Sequence, residues 1–375
     1  MIYKPRIAIG IEHIEWYVPV SRGSVAECLR RQEAVLSAES FESYWHDTVI
    51  ETERLMEYFA RQISAGGDAG DWGREQMSVE DFRSAGLEFA HCATEESSSD
   101  MAVKVGRLLL QRNPELARKT QLLIHAHSTL NESPTWSTPC RLQHELKLNN
   151  AVSFSVSQKG GNSTLTSLNI ACSLITAENE LDTVIVIASD KIVPPCRRAL
   201  PGPTLLSDGA GALVLRRSDC GIQFIGSHVR DFSEVWTPHG RTGESQANFV
   251  DFVACQARNL LKELLQELGL RMNEVSLIIP PNLNVFLAPR IAEECSVPLD
   301  TLLVSNVSCC GNLGSAELIV NLARAAEERE FKPQDVIVVL SLGYGLSLGC
   351  AALKWGAGLT LGRETSYAGI SAAIA

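Results

Sequence analysis

The sequence lacks the marks of several protein classes. No apolar run approaches the ~20 residues of a membrane-spanning helix, and the opening MIYKPRIAIG has neither the apolar stretch nor the cleavage site of a signal peptide. Basic residues are scarce, since 33 Lys and Arg stand against 44 Asp and Glu for a formal net charge of −11. Nucleic acids and anionic membranes favour a basic surface. We therefore expect a cytoplasmic protein that binds neither.

The eleven cysteines also lack a pattern. An odd and scattered set without any CxxC pair is not typical of a disulfide framework or of a zinc site. Most of these cysteines are expected to pack as small apolar side chains. The sequence therefore predicts no metal site.

An internal repeat is the main organisational feature that is present. Residues 151–189 and 301–343 each begin with an apolar run, reach a Gly-Asn step and continue into a helical pattern. Each then passes an acidic stretch and ends in an apolar run, VIVIAS or VIVVLS. Short Val/Ile/Leu strands that alternate with helices indicate buried sheets covered by helices. The sequence predicts an α/β fold made of two related halves.

The repeat also suggests the domain boundaries. Residues 1–215 form the first predicted half and residues 222–355 the second, because RRSDCGI interrupts the pattern between them. Residues 30–83 match no part of the repeat, and we interpret them as a mostly helical insertion in the first half. The Gly- and Ala-rich residues 356–375 form a tail without a strong pattern.

Four motifs in a fixed order then suggest a family. They are GLEFAHCATEESSSDMA from Gly86, LLSDGAGALVL from Leu205, VSCCGNLGSAEL from Val307 and LSLGYGLSLGCAAL from Leu340. Together they resemble the ketoacyl-ACP synthase III branch of the thiolase superfamily. The resemblance implies duplicated halves layered α-β-α-β-α, a dimer, and an acyl-CoA or acyl-carrier-protein (phosphopantetheine) thioester as substrate with no cofactor.

The same resemblance implies a Cys-His-Asn trio, of which one member is kept. The family's cysteine lies seven residues before a helix leucine, and Leu168 as that leucine puts Gly161 at the cysteine position. Its histidine position reads Pro281, and none of the eight histidines lies beyond His239. The asparagine corresponds to Asn312. The second backbone N–H of the oxyanion hole would come from Gly345. Glycine cannot be acylated, so the usual acyl-cysteine route is not expected.

Two histidines are candidates for altered chemistry. His125 and His127 occur in LLIHAHSTLNES at the end of a predicted strand. Alternate residues of a strand point to the same side, and strand ends in α/β sheets face ligand crevices. One of the two could act as a general base. The alternative is a pair of hydrogen-bonded structural histidines.

Other polar residues border the positions of the lost side chains. Ser163 is a displaced nucleophile or a residue that caps the helix start. Cys310 could face the active-site cavity from the second half of the fold, or it could pack as a small residue in a crowded turn. The candidate substrate-binding side chains of this group are Gln158, Lys159, Ser163, Asn282, Asn284 and Cys310.

Two functions remain open from the sequence. The first is an acyltransferase of specialised metabolism that passes an acyl group from a thioester directly to an amine, an alcohol or water. The second is a non-catalytic partner subunit that forms a heterodimer with a cysteine-bearing homologue. The retained Asn312 and the two glycine turns favour the first hypothesis, and the loss of two catalytic side chains favours the second.

Overall fold

A computed structural model describes residues 1–35, 77–129, 136–193, 197–200, 202–232, 246–343 and 345–363. Its strands are β1 (Ile2–Tyr3), β2 (Gly10–Tyr17), β3 (Arg22–Ser24), β4 (Phe89–His91), β5 (Leu122–Ala126), β6 (Val152–Val156), β7 (Thr183–Asp190), β8 (Ala199–Leu200), β9 (Thr204–Leu205), β10 (Gly209–Arg216), β11 (Ile222–Asp231), β12 (Val275–Ile279), β13 (Val336–Gly343), β14 (Ser347–Lys354) and β15 (Thr360–Arg363).

The α-helices of the described residues lie between these strands. They are α1 (Val25–Val35), α2 (Val79–Ser84), α3 (Ser98–Arg112), α4 (Leu116–Lys119), α5 (Thr138–Glu145), α6 (Asn162–Ala177), α7 (Gln246–Leu268), α8 (Leu287–Cys295), α9 (Ser305–Cys310) and α10 (Glu317–Glu328). Short 3-10 helices occur at Met272–Glu274, Leu299–Thr301 and Gly314–Ala316.

The strands follow the same order in both halves of the chain. One path runs β12-β13-β14-β11-β2-β10-β7-β5-β6, and the two halves join where β11 pairs with the start of β2. In the first half β5 lies parallel to β6 and β7, while β7 and β10 are antiparallel. In the second half β12 and β13 are parallel, β13 and β14 are antiparallel, and a bridge between Ile278 and Leu302 takes the place of β6. The predicted duplicated α/β fold is confirmed.

Two helices lie between the halves. Residues of α6 and α10 share one buried cluster with the inner faces of both sets of strands; Leu165, Leu168, Ile319, Leu322, Ile14, Val186, Ile337 and Leu353 belong to it. Helices α3 and α5 cover the outer face of the first half, and α7 and α8 cover that of the second. The layers follow the order α-β-α-β-α that the resemblance implied. The site must therefore form where α6 and the loop before α10 meet between the sheets.

The two predictions for the segments outside the repeat have different outcomes. Of the predicted insertion at 30–83, residues 36–76 lie outside the described residues, and the described part holds the end of α1 and all of α2. The predicted tail contains β15, which pairs in parallel with β2 from Thr360 to Arg363. This strand was not predicted, because four residues are too few to show a clear hydrophobic period. The boundaries between the halves stay a prediction.

The aspartate of the DGAGA segment is structural. The buried carboxylate of Asp208 accepts hydrogen bonds from the guanidinium of Arg198 at 2.9 and 3.1 Å. It also accepts the backbone N–H groups of Ala93 and Ile192 at 2.8 Å each. Burial raises the pKa of Asp208, and the charge of Arg198 opposes that rise. This carboxylate joins the end of β4 to the loop that follows β7.

A close backbone contact across the two halves gives the first prediction. A Cβ atom added at Gly343 would lie 1.8 Å from the carbonyl oxygen of Lys159. We expect Gly343→Ala to lower the free energy of unfolding by about 3 kcal/mol, since backbone atoms must move apart. Gly269→Ala is the control, because the space around Gly269 is open. It should cost about 1 kcal/mol for its positive φ alone. Urea unfolding measures both, and equal costs would contradict the prediction.

Candidate active site

Four segments meet between the halves. They are the loop after β5, the turn before α6, the loop before α10 and the end of β13. The hydroxyl of Thr164 donates to the Ser315 carbonyl, and the side-chain amide of Asn162 donates to the Ser347 hydroxyl at 3.0 Å. Each contact joins the first half to the second. The loop with Asn312 and the position of Gly161 therefore border one site.

One buried carboxylate holds two of these segments together. Asp190 ends β7 and is fully buried. Its Oδ1 accepts the N–H groups of Ser128 and Thr129 at 2.7 Å each, and the Thr129 hydroxyl at 2.8 Å. Its Oδ2 accepts the Ser128 hydroxyl at 2.9 Å and the Ser315 N–H at 2.6 Å. Asp190 thus fixes the loop after His127 against the loop that carries Asn312.

The turn before α6 is tight and closed. Gln158 and Gly160 have φ angles of 62° and 54°, and Gly161 is the last residue before the helix. A Cβ atom at Gly161 would lie 2.5 Å from the carbonyl oxygen of Leu342. The missing side chain therefore leaves no room at this point for a water or a substrate. The end of β13 occupies that space.

His125 on β5 and His127, which follows the end of that strand, point to the same side of the chain. Their rings are stacked with centroids 5.0 Å apart and an interplanar angle of 12°. His125 is fully buried, and its Nε2 lies 3.0 Å from the Ser189 hydroxyl, which in turn lies 3.0 Å from the Ser98 hydroxyl. His125 is therefore part of an internal hydrogen-bonded chain.

His127 is partly exposed and differently bonded. Its Nδ1 lies 2.9 Å from the carbonyl oxygen of Thr129. A carbonyl oxygen only accepts, so Nδ1 carries the proton, and Nε2 of the neutral ring keeps its lone pair. This is the tautomer that a general base needs. The buried hydroxyl of Ser163 donates to the His127 carbonyl at 3.1 Å, so Ser163 ties the start of α6 to the histidine.

Asn312 offers one side-chain donor. Its Oδ1 accepts the Gly314 N–H at 3.0 Å. Its backbone pairs with Leu205 and Ser207 at 2.9 and 2.7 Å, just before the DGAGA segment. Within the described part of the chain, no hydrogen-bond partner is found for its Nδ2. The side chain is half-buried, so this amide is held in place with a donor left for another group.

The side chains of the two asparagines after Pro281 form hydrogen bonds to other groups of the protein. Asn282 donates from its side chain to the Gly311 carbonyl at 2.8 Å and to Asn321 Oδ1 at 3.2 Å. Asn284 donates to the Gly202 carbonyl at 3.1 Å. Both asparagines and Pro281 are buried. These amides brace the loops around the site.

The remaining candidates fall into three environments. Cys310 is buried in the central cluster, and burial raises the pKa of its thiol to about 12. Lys159 forms an ion pair with Asp231 at 2.6 Å. Gln158 and Gly345 are exposed. A substrate therefore cannot reach the Cys310 thiol, and the Lys159 ammonium group is already paired with a carboxylate.

Glu317 is a functional candidate that the sequence analysis missed. Its Oε1 accepts the Asn282 N–H at 3.1 Å, and its Oε2 accepts the Leu313 N–H at 3.3 Å. It therefore bridges the loop with Pro281 and the loop with Asn312. Burial raises the pKa of Glu317 to about 8, although both backbone hydrogen bonds lower it. The sequence contains one signal for this site, which is the acidic residue inside the otherwise apolar run AELIV.

Comparisons with known proteins agree with this architecture. A family model described as 3-oxoacyl-[acyl-carrier-protein] synthase III, C terminal, matches residues 265–355. The β-ketoacyl-[acyl-carrier-protein] synthase III of Clostridium perfringens is 24% identical over 334 residues, which cover 84% of this chain and 97% of that protein. Its counterpart structure from Aquifex aeolicus superposes with a TM-score of 0.66 at 19% identity, covering 92% of this chain and 100% of that one.

Residues 265–355 thus match the C-terminal part of the ketoacyl-ACP synthase III family, and the chain is similar in sequence and in fold to synthases of that kind. The structure of ChlB3, named an acyltransferase, also matches, with a TM-score of 0.70 at 19% identity, covering 93% of this chain and 98% of that one. No described group of three or more His, Cys, Asp or Glu side chains in this synthase-like chain could hold a metal ion. None of its described helices is long and apolar enough to cross a membrane.

The buried Glu317 gives a pH-dependent prediction. Its folded pKa lies above the ordinary value of 4.5, so the unfolded chain loses this proton first as pH rises. The free energy of unfolding should therefore fall between about pH 4.5 and about pH 8. We expect Glu317→Gln to flatten this slope, while Glu178→Gln at an exposed position leaves it unchanged. Urea unfolding at pH 5 to 8 measures it, and an unchanged slope in Glu317→Gln would contradict the assignment.

The closed turn predicts that a cysteine at position 161 does not restore an acyl-enzyme. Its Cβ would meet the Leu342 carbonyl, so we expect Gly161→Cys to lose about 1–3 kcal/mol of stability. Mass spectrometry after incubation with acyl thioesters should show no acyl group on that cysteine. Ser157→Cys, at an exposed residue of the same turn, controls for unspecific acylation. A stable and acylated Gly161→Cys variant would refute this reading.

Proposed function

We propose that this protein is an acyltransferase that takes an acyl group from an acyl-CoA or acyl-carrier-protein thioester and passes it directly to an amine, an alcohol or water. One observation carries the proposal. Among the described residues, neither Nε2 of His127 nor Nδ2 of Asn312 has a hydrogen-bond partner, and Asp190 holds both of their loops. The names of the relatives, a ketoacyl synthase and an acyltransferase, support a thioester as the donor.

The chemistry follows from these two side chains. Nε2 of His127 accepts the proton of the acceptor as its oxygen or nitrogen attacks the thioester carbon. Nδ2 of Asn312 donates to the carbonyl oxygen, which becomes negative in the tetrahedral intermediate. The intermediate then collapses and expels the thiolate of the donor, which takes up the proton from His127. No acyl-cysteine is formed.

A second candidate function is a non-catalytic partner subunit. The carbonyl of Leu342 fills the space where a nucleophile's side chain would begin. Strand β6 ends the path of strands in the first half, and Val152 on it is 68% exposed. An exposed edge strand is a ready template for pairing with another chain. Such a contact fits a homodimer or a heterodimer with a cysteine-bearing homologue.

His127 provides the test of the enzyme. With a thioester that the purified protein turns over, His127→Gln should lower kcat/KM by about 10²–10⁴-fold, because general-base catalysis is lost. His144→Gln, at an exposed histidine on α5, should leave kcat/KM unchanged. Kinetics with a panel of acyl-CoA and acyl-carrier thioesters measures both. Full activity in His127→Gln would exclude this histidine as the base.

Mass spectrometry separates the two functions. Turnover without a covalent acyl adduct supports direct transfer. An acyl adduct on any side chain contradicts it and identifies a displaced nucleophile. Neither turnover nor adduct, together with co-purification of a cysteine-bearing homologue, supports the partner subunit.

A further inference from the structure

Two cysteines outside the candidate site share one small space. Cys28 lies on α1, and Cys92 follows β4 directly. Both are free thiols. Cys28 is buried, with 6% of its surface exposed, while Cys92 is half-buried. One thiol is therefore sheltered and the other can be reached from solvent.

Gly23 brings the two sulfur atoms together. A Cβ atom added at Gly23 would lie 3.2 Å from Cys92 Sγ and 3.4 Å from Cys28 Sγ. Both sulfur atoms thus lie next to the point where the side chain of any other residue at position 23 would begin. Gly23 is the middle residue of β3, opposite Ala90 on β4. The absence of a side chain there leaves room for both thiols.

The hydrogen bonding and the charges around the two sulfurs make Cys92, the accessible thiol, the nucleophile. A hydrogen bond from the Cys28 thiol lowers the pKa of Cys92, and the positive charge of Arg198 lowers it further against the effect of burial. The same hydrogen bond and burial raise the pKa of Cys28. Thiolates attack disulfides and thiols do not. Cys92 is therefore the attacking sulfur and Cys28 the resolving one.

We infer that Cys28 and Cys92 form a dithiol that low-molecular-weight disulfides, such as glutathione disulfide, oxidise to an intramolecular disulfide bond. The Cys92 thiolate attacks one sulfur of glutathione disulfide, which forms a mixed disulfide and releases one glutathione thiolate. Cys28 then loses its proton and attacks Cys92 Sγ, which releases the second glutathione. The two cysteines lose two electrons and two protons, and glutathione disulfide gains them.

The bond would join α1 to an anchored part of the sheet. Next to Cys92, the ring of His91 lies 2.7 Å from the Pro19 carbonyl and 3.0 Å from the Cys309 carbonyl. On the other side, Ala93 donates to Asp208. Since these contacts fix the chain around Cys92, the disulfide would fix α1 as well. The oxidised protein should therefore have a higher thermal midpoint than the reduced protein.

Peptide mass spectrometry of the full chain tests the inference. After incubation with glutathione disulfide at pH 7 and alkylation of the remaining thiols, we expect a peptide pair linked through Cys28 and Cys92, which dithiothreitol separates. The Cys28→Ser variant should stop at a glutathione adduct on Cys92. The Cys92→Ser variant should give neither product. A persistent adduct on Cys92 in the natural chain, or no reaction there while exposed Cys140 and Cys220 react, would overturn the inference.

Gly23→Ala is a second test that keeps both thiols. Its Cβ would press on both sulfurs without touching backbone atoms within 4 Å, so the fold should survive, which circular dichroism checks. We expect disulfide formation to slow by at least tenfold. An unchanged rate would contradict the role of this shared space. Cys140→Ser, which removes an exposed thiol away from the pair, should change neither the linked peptide nor its rate.

Discussion

The candidate site depends on the hydrogen bonds that the buried carboxylate of Asp190 accepts. This carboxylate accepts five hydrogen bonds, of which four come from Ser128 and Thr129 in the loop after β5 and one, at 2.6 Å, comes from the Ser315 N–H in the second half. Hydrogen bonds to a buried charge are stronger than those between neutral groups. A single side chain at the end of β7 thereby places His127 and Asn312 at one site, although 185 residues separate them in the sequence.

The close approach of the two halves restricts which residues fit at the turn before α6 and at the end of β13. At Gly343 and Gly161 the backbones are so close that an added Cβ would meet a carbonyl oxygen at 1.8 or 2.5 Å. Two backbone segments can approach this closely only at a glycine, because every other residue would place a Cβ atom between them. The glycine at position 161 is thus coupled to the position of the Leu342 carbonyl, which leaves no space for a side chain there. The polar groups near this turn lie on the loops that carry His127 and Asn312.

The buried amides form a second layer of support. Asn282, Asn321 and Asn306 bond to one another, and Glu317 joins them to the loop with Asn312. A fully paired polar network inside a core rigidifies the groups that it contacts. Asn282 and Asn284 were expected to bind substrate. The sequence alone cannot distinguish an amide that supports a loop from one that binds a ligand, because the two differ only in the groups that surround the side-chain nitrogen.

The sequence by itself determined the duplicated α/β fold, the order of its motifs and the shared side of His125 and His127, because these follow from local periodicity. The prediction that Gly161 and Pro281 stand where the resemblance implies a cysteine and a histidine also comes from the sequence alone, and it stays a prediction. Only the tertiary structure decided that Leu342 closes the space at Gly161, that Asp190 and Glu317 join the loops, and that Cys28 meets Cys92. Each of these is a contact between segments far apart in the chain, and local patterns carry no information about such distances.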